Sequence, residues 1–194
     1  MVCLGWVAWA YSDALLYQQW ADAALGSPAA ASADAPPGAF DAGAPVARVR
    51  IPRLDLSVVV AEGTSDGILR RAAGRLSVSA PPGSDGNVVV AAHRDSFFRP
   101  LEKIEIGDRV FLDRPHGSDA YDVEWMRIVE PTDVGVTEDT GYAALTLVTC
   151  YPFHFLGPAP KRFIVRARRV GRDAARTAQT AGGAPPPPWI GDAS

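Results

Sequence analysis

The feature of this sequence that most restricts its fold is a succession of short β-branched and aromatic runs separated by glycine- and proline-rich turns. Such runs, about as long as ordinary strands, fill residues 46–170 and include VARVRIP, LDLSVVVAEG, NVVVAAH, DRVFLD, AYDVEWMRIVE, YAALTLVT and KRFIVRARRV. Helical patterns are few: SDGILRRAAG begins with a Ser/Asp cap and ends at Gly74, and SFFRPLEKI suggests a short helical turn. Many short strands with few helices predict an all-β barrel or sandwich.

The segments on either side of this region differ from it in composition. Residues 1–25 open with an apolar, aromatic stretch of about eleven residues, or about 17 Å of helix, which is too short for a bilayer core of about 30 Å. We expect the second half of an N-terminal membrane anchor, with the start codon assigned too far downstream; the alternative is an amphipathic helix that lies on the domain. Residues 26–45, rich in Ala, Pro and Gly, are predicted to be a linker, and residues 171–194 a Pro-rich disordered tail.

Composition and charge exclude some classes of protein. The 194 residues are 47% apolar and 21% charged, which is typical of a globular protein, and the net charge of −3 does not favour nucleic acid as a partner. Several arginines lie late in the chain, and all of them except Arg162 are expected to be solvated. The solvated ones are Arg166, Arg168, Arg169 and Arg172.

Three chemically active side chains are predicted at strand ends. His93 ends one strand, Cys150 ends another, and Arg162 begins the last. A thiolate can attack a carbonyl, an imidazole can transfer the proton, and a guanidinium can stabilise the resulting oxyanion. The only other cysteine, Cys3, lies in the N-terminal segment, so we expect no disulfide between them. The spacing alone leaves open that Cys150 is an inert core thiol, as buried cysteines commonly are.

Other candidate residues carry weaker signals. The HRD triplet at His93 also occurs in kinases, but this chain has neither a glycine-rich phosphate loop nor a DFG motif. Asp95 is a candidate to orient His93, and His154 is a candidate to line the site. His116 is expected on a surface turn. The carboxylates of LEKIEIGD and VTEDTG lack the spacing of a calcium loop. We therefore predict no metal and no cofactor.

Four ordered segments resemble the sortase family. TLVTC at residues 146–150 matches the TLxTC motif of the family, and NVVVAAHRDSFFRPL resembles its histidine segment. PTDVGV resembles the loop before the cysteine strand, and KRFIVRA carries the arginine of the final strand. The details of HRDSFFRPL and TCYPFHFLGPAPKRF look most like class D sortases. One departure is Ala92, where the family commonly has glycine before the histidine.

The resemblance implies a closed eight-stranded sortase barrel over residues 46–170, in a membrane-anchored cysteine transpeptidase outside the cytoplasm. Such an enzyme cuts an LPxTG-like C-terminal sorting signal after threonine, holds it as a thioacyl enzyme, and transfers it to a primary amine of a peptidoglycan precursor or a pilin lysine. It implies that Cys150 is the nucleophile, His93 the general acid and base, and Arg162 the group that holds substrate and oxyanion. Thr149 is expected to touch substrate or orient Arg162. Two alternatives are a hydrolytic cysteine peptidase and a non-catalytic peptide-binding barrel of the envelope.

Overall fold

The structure is a computed structural model that describes residues 2–26, 40–115, 117–155 and 157–172. For residues 2–11 and 172 only the backbone is described. The predicted tail beyond residue 172, most of the predicted linker, and His116 lie outside the described residues.

Strands make up most of the described chain. The strands are β1 (Pro45–Ile51), β2 (Leu56–Glu62), β3 (Ala73–Arg75), β4 (Asn87–Ala91), β5 (Arg109–Arg114), β6 (Gly117–Val129), β7 (Ala144–Tyr151) and β8 (Lys161–Arg172). The helices are α1 (Val2–Leu25) and α2 (Asp66–Leu69), with 3₁₀ helices at Pro52–Leu54, Arg99–Lys103 and Val134–Thr137.

The eight strands close into one barrel in the order β1-β2-β3-β4-β7-β8-β6-β5, with β5 returning to β1. The β2–β3 and β4–β7 pairs are parallel, and the other neighbours are antiparallel. Closure removes exposed strand edges, which would otherwise invite pairing with other chains. The predicted all-β, closed eight-stranded barrel is therefore confirmed.

Side chains alternate between the interior of the barrel and its outer face, as the period of a strand requires. The three strands that matter for the site contribute alternate residues to the buried apolar core: Val88 and Val90 from β4, Leu145 and Leu147 from β7, Val165 and Ala167 from β8. The residues between them consequently point to the outer face.

The prediction of a helix ending at Gly74 was wrong. The helix α2 ends at Leu69, and Gly74 lies in the three-residue strand β3. A Cβ on Gly74 would stand 2.3 Å from the carbonyl oxygen of Gly63, so the absence of a side chain lets the two segments approach. A strand of three residues is too short to show any alternation in the sequence.

The helix α1 packs on the barrel through its second half. The Gln18 side chain accepts a hydrogen bond from the backbone N–H of Val59 (3.0 Å) and donates one to the carbonyl of Arg71 (2.9 Å). Tyr17 donates to the carbonyl of Gly43 at 2.8 Å, and Ala21 is fully buried. These contacts agree with the alternative of a helix lying on the domain.

Within the described residues, no helix is both long and apolar enough to cross a bilayer.

A buried ion pair joins β2 to β3. The guanidinium of Arg75 donates to Glu62 at 2.7 and 2.9 Å and to the carbonyl of Ser79 at 2.6 Å. The side chains of Arg75 and Glu62 are 0% and 3% exposed, and they lie opposite each other in the pairing of the two strands. Because water cannot reach either charge, each one is stabilised by the other.

We predict that Glu62→Gln lowers the free energy of unfolding by about 3 kcal/mol, because it leaves a buried guanidinium without its counter-ion. Urea unfolding followed by circular dichroism measures this. The matched control is Asp122→Asn, which breaks the exposed pair with Arg109 and should cost less than about 1 kcal/mol. Equal losses in the two variants would contradict the prediction.

Candidate active site

The strand register brings His93, Cys150 and Arg162 into one row. In the parallel β4–β7 pair each partner lies 57 residues later in the chain, down to Ala91 opposite Val148. His93 and Cys150 continue that register by two residues, and Cys150 is directly paired with Arg162 on β8. Since neighbouring strands lie about 4.8 Å apart, the three Cα atoms span about 10 Å. The structure thus brings together the three residues that the sequence singled out.

The row lies on the outer face of the barrel. Leu147 precedes Cys150 by three positions and points into the core, so the cysteine side chain points the opposite way. Cys150, His93 and Arg162 are all half-buried, and Cys150 is a free thiol. The arrangement therefore leaves the thiol accessible from outside, which an inert core cysteine would not be.

Thr149 joins the cysteine strand to the histidine segment. Its hydroxyl donates to the carbonyl of Ala92 at 2.8 Å, and the residue is 2% exposed. The backbone N–H of Ala92 in turn donates to the carbonyl of Val148 at 3.1 Å. These two bonds carry the β4–β7 pairing past the end of β4, as far as the residue before His93. Thr149 makes no hydrogen bond to Arg162 in the described chain, and its contact with substrate stays a prediction.

Some of the hydrogen-bond donors of the Arg162 side chain are paired with carbonyls just before it in the chain. Its Nη1 donates to the carbonyls of Lys161 (3.0 Å) and Ala159 (3.3 Å). Among the described residues, Nε and Nη2 have no hydrogen-bond acceptor. Two nitrogens of the planar guanidinium are thus available to a negatively charged group above the row.

The turn after β4 holds His93 by its backbone. The carbonyl of His93 accepts a hydrogen bond from the N–H of Phe98 at 3.1 Å, and Phe98 is fully buried. Asp95 is exposed and, within the described residues, makes no hydrogen bond to His93. The geometry gives no support to a triad in which Asp95 orients the imidazole.

The loop before β7 covers the outer face at the end of the strands that is far from the row. Asn87 accepts from the hydroxyl of Thr146 (2.6 Å) and donates to the carbonyl of Glu138 (2.9 Å). Arg166 donates to the carbonyl of Val136 at 2.7 Å. Asn87 lies six positions before His93, or about 20 Å along the strand direction, so the loop and the row lie at opposite ends of the same outer face.

Arg166 corrects one expectation from the sequence. We expected it to be solvated, but it is 4% exposed and stacks 5.2 Å from the ring centre of Trp125. Alternation along β8 puts it on the same face as Arg162, beneath the loop. The alternation can be seen in the sequence, but the loop that covers Arg166 can be seen only in the structure.

The remaining candidates have other surroundings. His154 is 65% exposed and contacts Arg99 (3.0 Å) and Glu102 (2.7 Å) rather than the row. No group of three His, Cys, Asp or Glu side chains in the described segments is arranged to hold a metal ion.

The barrel is the fold of a known family of proteins. Residues 49–170 match the Sortase domain family. The chain is 33% identical to Sortase D of Bacillus subtilis over 123 residues, which are 63% of this chain and 62% of the relative. It is similar at 26% identity and a TM-score of 0.62 to a solved Sortase D5 transpeptidase of Clostridium perfringens, covering 68% of this chain and 82% of that one.

A third similar protein is sortase C1 of Streptococcus suis, at 29% identity and a TM-score of 0.62, with 68% of this chain and 75% of that one covered. The chain spans about three fifths of the length of the Bacillus relative. The match of the family over most of the described barrel shows that the chain belongs to the sortase family.

We predict that Thr149→Val lowers the free energy of unfolding by about 1–3 kcal/mol, because the carbonyl of Ala92 loses its buried donor while the volume stays nearly constant. Urea unfolding measures the loss. Thr149→Ser keeps the hydroxyl and is the control, which should retain more of the stability than Thr149→Val. A valine variant as stable as the wild type would contradict the role of this hydrogen bond.

Proposed function

We propose that this protein is a sortase-type cysteine transpeptidase that cleaves an LPxTG-like sorting signal after threonine and transfers the new carboxyl end to a primary amine. The observation that carries the proposal is the row formed by His93, Cys150 and Arg162 on the accessible outer face. Membership of the sortase family and the similarity to a Sortase D5 transpeptidase support the same chemistry.

In the first half-reaction the thiolate of Cys150 attacks the carbonyl carbon of the threonine. The negative charge on the carbonyl oxygen is stabilised by the two available nitrogens of Arg162. The peptide C–N bond then breaks, and protonated His93 donates its proton to the departing amine. The product is a thioester on Cys150 and a free peptide fragment.

In the second half-reaction an incoming primary amine attacks the thioester carbon. His93, now neutral, accepts the proton of the amine, and the C–S bond breaks to return the thiolate. The new amide bond replaces the one that was cut, so the reaction needs no oxidant, reductant or external energy source.

The substrate backbone is proposed to lie along the outer face, between the row and the loop that carries Val134–Thr137. This loop is held to the barrel by Asn87 and Arg166, so its position is set before substrate arrives. An LPxTG-type peptide is the proposed occupant, and an amine of a peptidoglycan precursor or a pilin is the proposed acceptor.

The proposed location is the cell envelope, where such substrates are found. Attachment to the membrane through the N-terminal segment stays a prediction, and so do the linker and tail boundaries.

Two alternatives differ from this function in measurable ways. A hydrolytic cysteine peptidase would release the acid form of the substrate even when an amine is abundant. A non-catalytic barrel would bind the peptide without forming a thioester. Mass analysis of products formed with and without a primary amine separates the three possibilities.

We predict that Cys150→Ala abolishes the thioacyl adduct with an LPxTG-type peptide while circular dichroism shows a retained fold. Intact-protein mass spectrometry detects the adduct through its added mass. Cys3→Ala is the matched control, since it removes the other thiol and should form the adduct as the wild type does. Cleavage by the Cys150→Ala protein would end the proposal.

We predict that Arg162→Lys lowers kcat/KM for peptide cleavage on the order of 10²-fold, because an ammonium cannot reproduce the two directed donors of a guanidinium. Rates of peptide cleavage give the ratio. Arg168→Lys is the control on the same strand: Arg168 is half exposed, pairs with Glu124, and should tolerate the change. Similar rates for both variants would remove Arg162 from the mechanism.

A further inference from the structure

The loop that connects Cys150 to Arg162 is held by the segment that follows His93. This loop, residues 152–160, is named here the β7–β8 loop. Arg94 donates from Nη2 to the carbonyls of Phe155 (2.7 Å) and Gly157 (3.0 Å). Its guanidinium carbon also lies 5.8 Å from the centre of the Phe155 ring. One side chain thus binds two carbonyls and one ring of the β7–β8 loop.

A second contact ties the same loop to the 3₁₀ helix Arg99–Lys103. Arg99 has no acceptor atom, so Nδ1 of His154 accepts its hydrogen bond, and Nε2 donates to Glu102. The hydrogen bonds of both ties lie at exposed positions, where each polar contact contributes little. His154 has 65% of its side chain accessible, whereas Arg94 is half-buried and adds a ring contact to its two hydrogen bonds. Arg94 is therefore the more extensive tie between the two segments.

The β7–β8 loop in turn orients Arg162. Strand pairing sets the backbone of Arg162 opposite Cys150, but pairing does not set the direction of a long side chain. That direction comes from the hydrogen bonds of Nη1 to the carbonyls of Ala159 and Lys161, and Ala159 belongs to the loop. A loop that moved would take one of these acceptors with it.

Arg94 also has a feature that stability alone does not explain. Its Nη1 is buried and has no hydrogen-bond partner in the described residues, which costs free energy. A buried unsatisfied donor beside a reactive row is the kind of exception that a functional constraint retains. Nη2 alone donates to both carbonyls while the flat guanidinium lies over the Phe155 ring, and a lysine would lose that planar group.

We propose that Arg94 is a positioning residue for the transfer reaction: it fixes the β7–β8 loop, and the carbonyl of Ala159 in this loop helps to aim the guanidinium of Arg162 at the reacting centre. Arg94 makes no hydrogen bond to Cys150 in the described chain and acts through Arg162. The proposal rests on the proposed function, and it assigns to the residue after the histidine a role that is distinct from those of His93 and Cys150.

The first test is a double-mutant cycle. Arg94→Gln is made in the wild type and in the Arg162→Lys background, and kcat/KM for acylation by an LPxTG-type peptide is measured in all four proteins. We expect a loss of roughly tenfold in the wild-type background and less than about twofold in the Arg162→Lys background, since residues in one network are not additive. Equal losses in the two backgrounds would overturn the proposal, because a structural role would not depend on Arg162.

The second test follows the loop and the thiol directly. Hydrogen exchange of the β7–β8 loop should be faster in Arg94→Gln than in the wild type, while Arg99→Gln, which removes only the contact with His154, should change it less. Alkylation of Cys150 by iodoacetamide should keep its wild-type rate in Arg94→Gln, because this small reagent does not need Arg162. Unchanged loop exchange, or a thiol that loses reactivity, would overturn the role of Arg94.

The two tests also separate this inference from the function on which it rests. A wild-type protein that forms no acyl-enzyme with any sorting peptide overturns the proposed function. The exchange measurement still decides whether Arg94 holds the loop, since it needs no substrate.

Discussion

The parallel pairing of β4 with β7 is the constraint on which the site depends. Its register, continued past the end of β4 by the hydrogen bond from Thr149 to the carbonyl of Ala92, decides which residue stands opposite Cys150. A slip of one position would turn either His93 or Cys150 into the core. The register is kept by the apolar side chains that β4 and β7 bury inside the barrel. The same packing therefore stabilises the core and sets the positions of His93 and Cys150.

Barrel closure gives the outer face its own architecture. Every strand edge is paired, so access to the outer face depends on the loops beside it, and each of the two loops flanking this face is held by an arginine. Arg166 holds the loop before β7, and Arg94 holds the loop after it. Both side chains carry a buried nitrogen without a hydrogen-bond partner in the described chain. The outer face around the row is thus bordered by two loops, and each of them is bound to the barrel region by an arginine side chain.

Sequence patterns predicted the strands well where apolar and β-branched residues fill five or more positions, as in β4 and β7. They failed for β3, because three residues carry no periodic signal and Gly74 suggested a helix end. They also failed for Arg166, since a strand arginine close to the C-terminus resembles a solvated one unless the loop above it is known. The roles of Arg94 and of the hydroxyl of Thr149 depend on carbonyls of distant segments, to which no local pattern points.

Local chemistry in the chain was enough to identify strands that end in His93 and Cys150, and a final strand that begins with Arg162, because strand propensity, turn residues and reactive side chains are read position by position. The motifs around them were enough to suggest the sortase family. Which face these residues share, how the three strands become neighbours, and which loops aim the side chains were decided only in the folded barrel. The reason is that register and loop contacts join residues far apart in the chain, 57 positions in the case of His93 and Cys150, and their energies exist only when the core has formed.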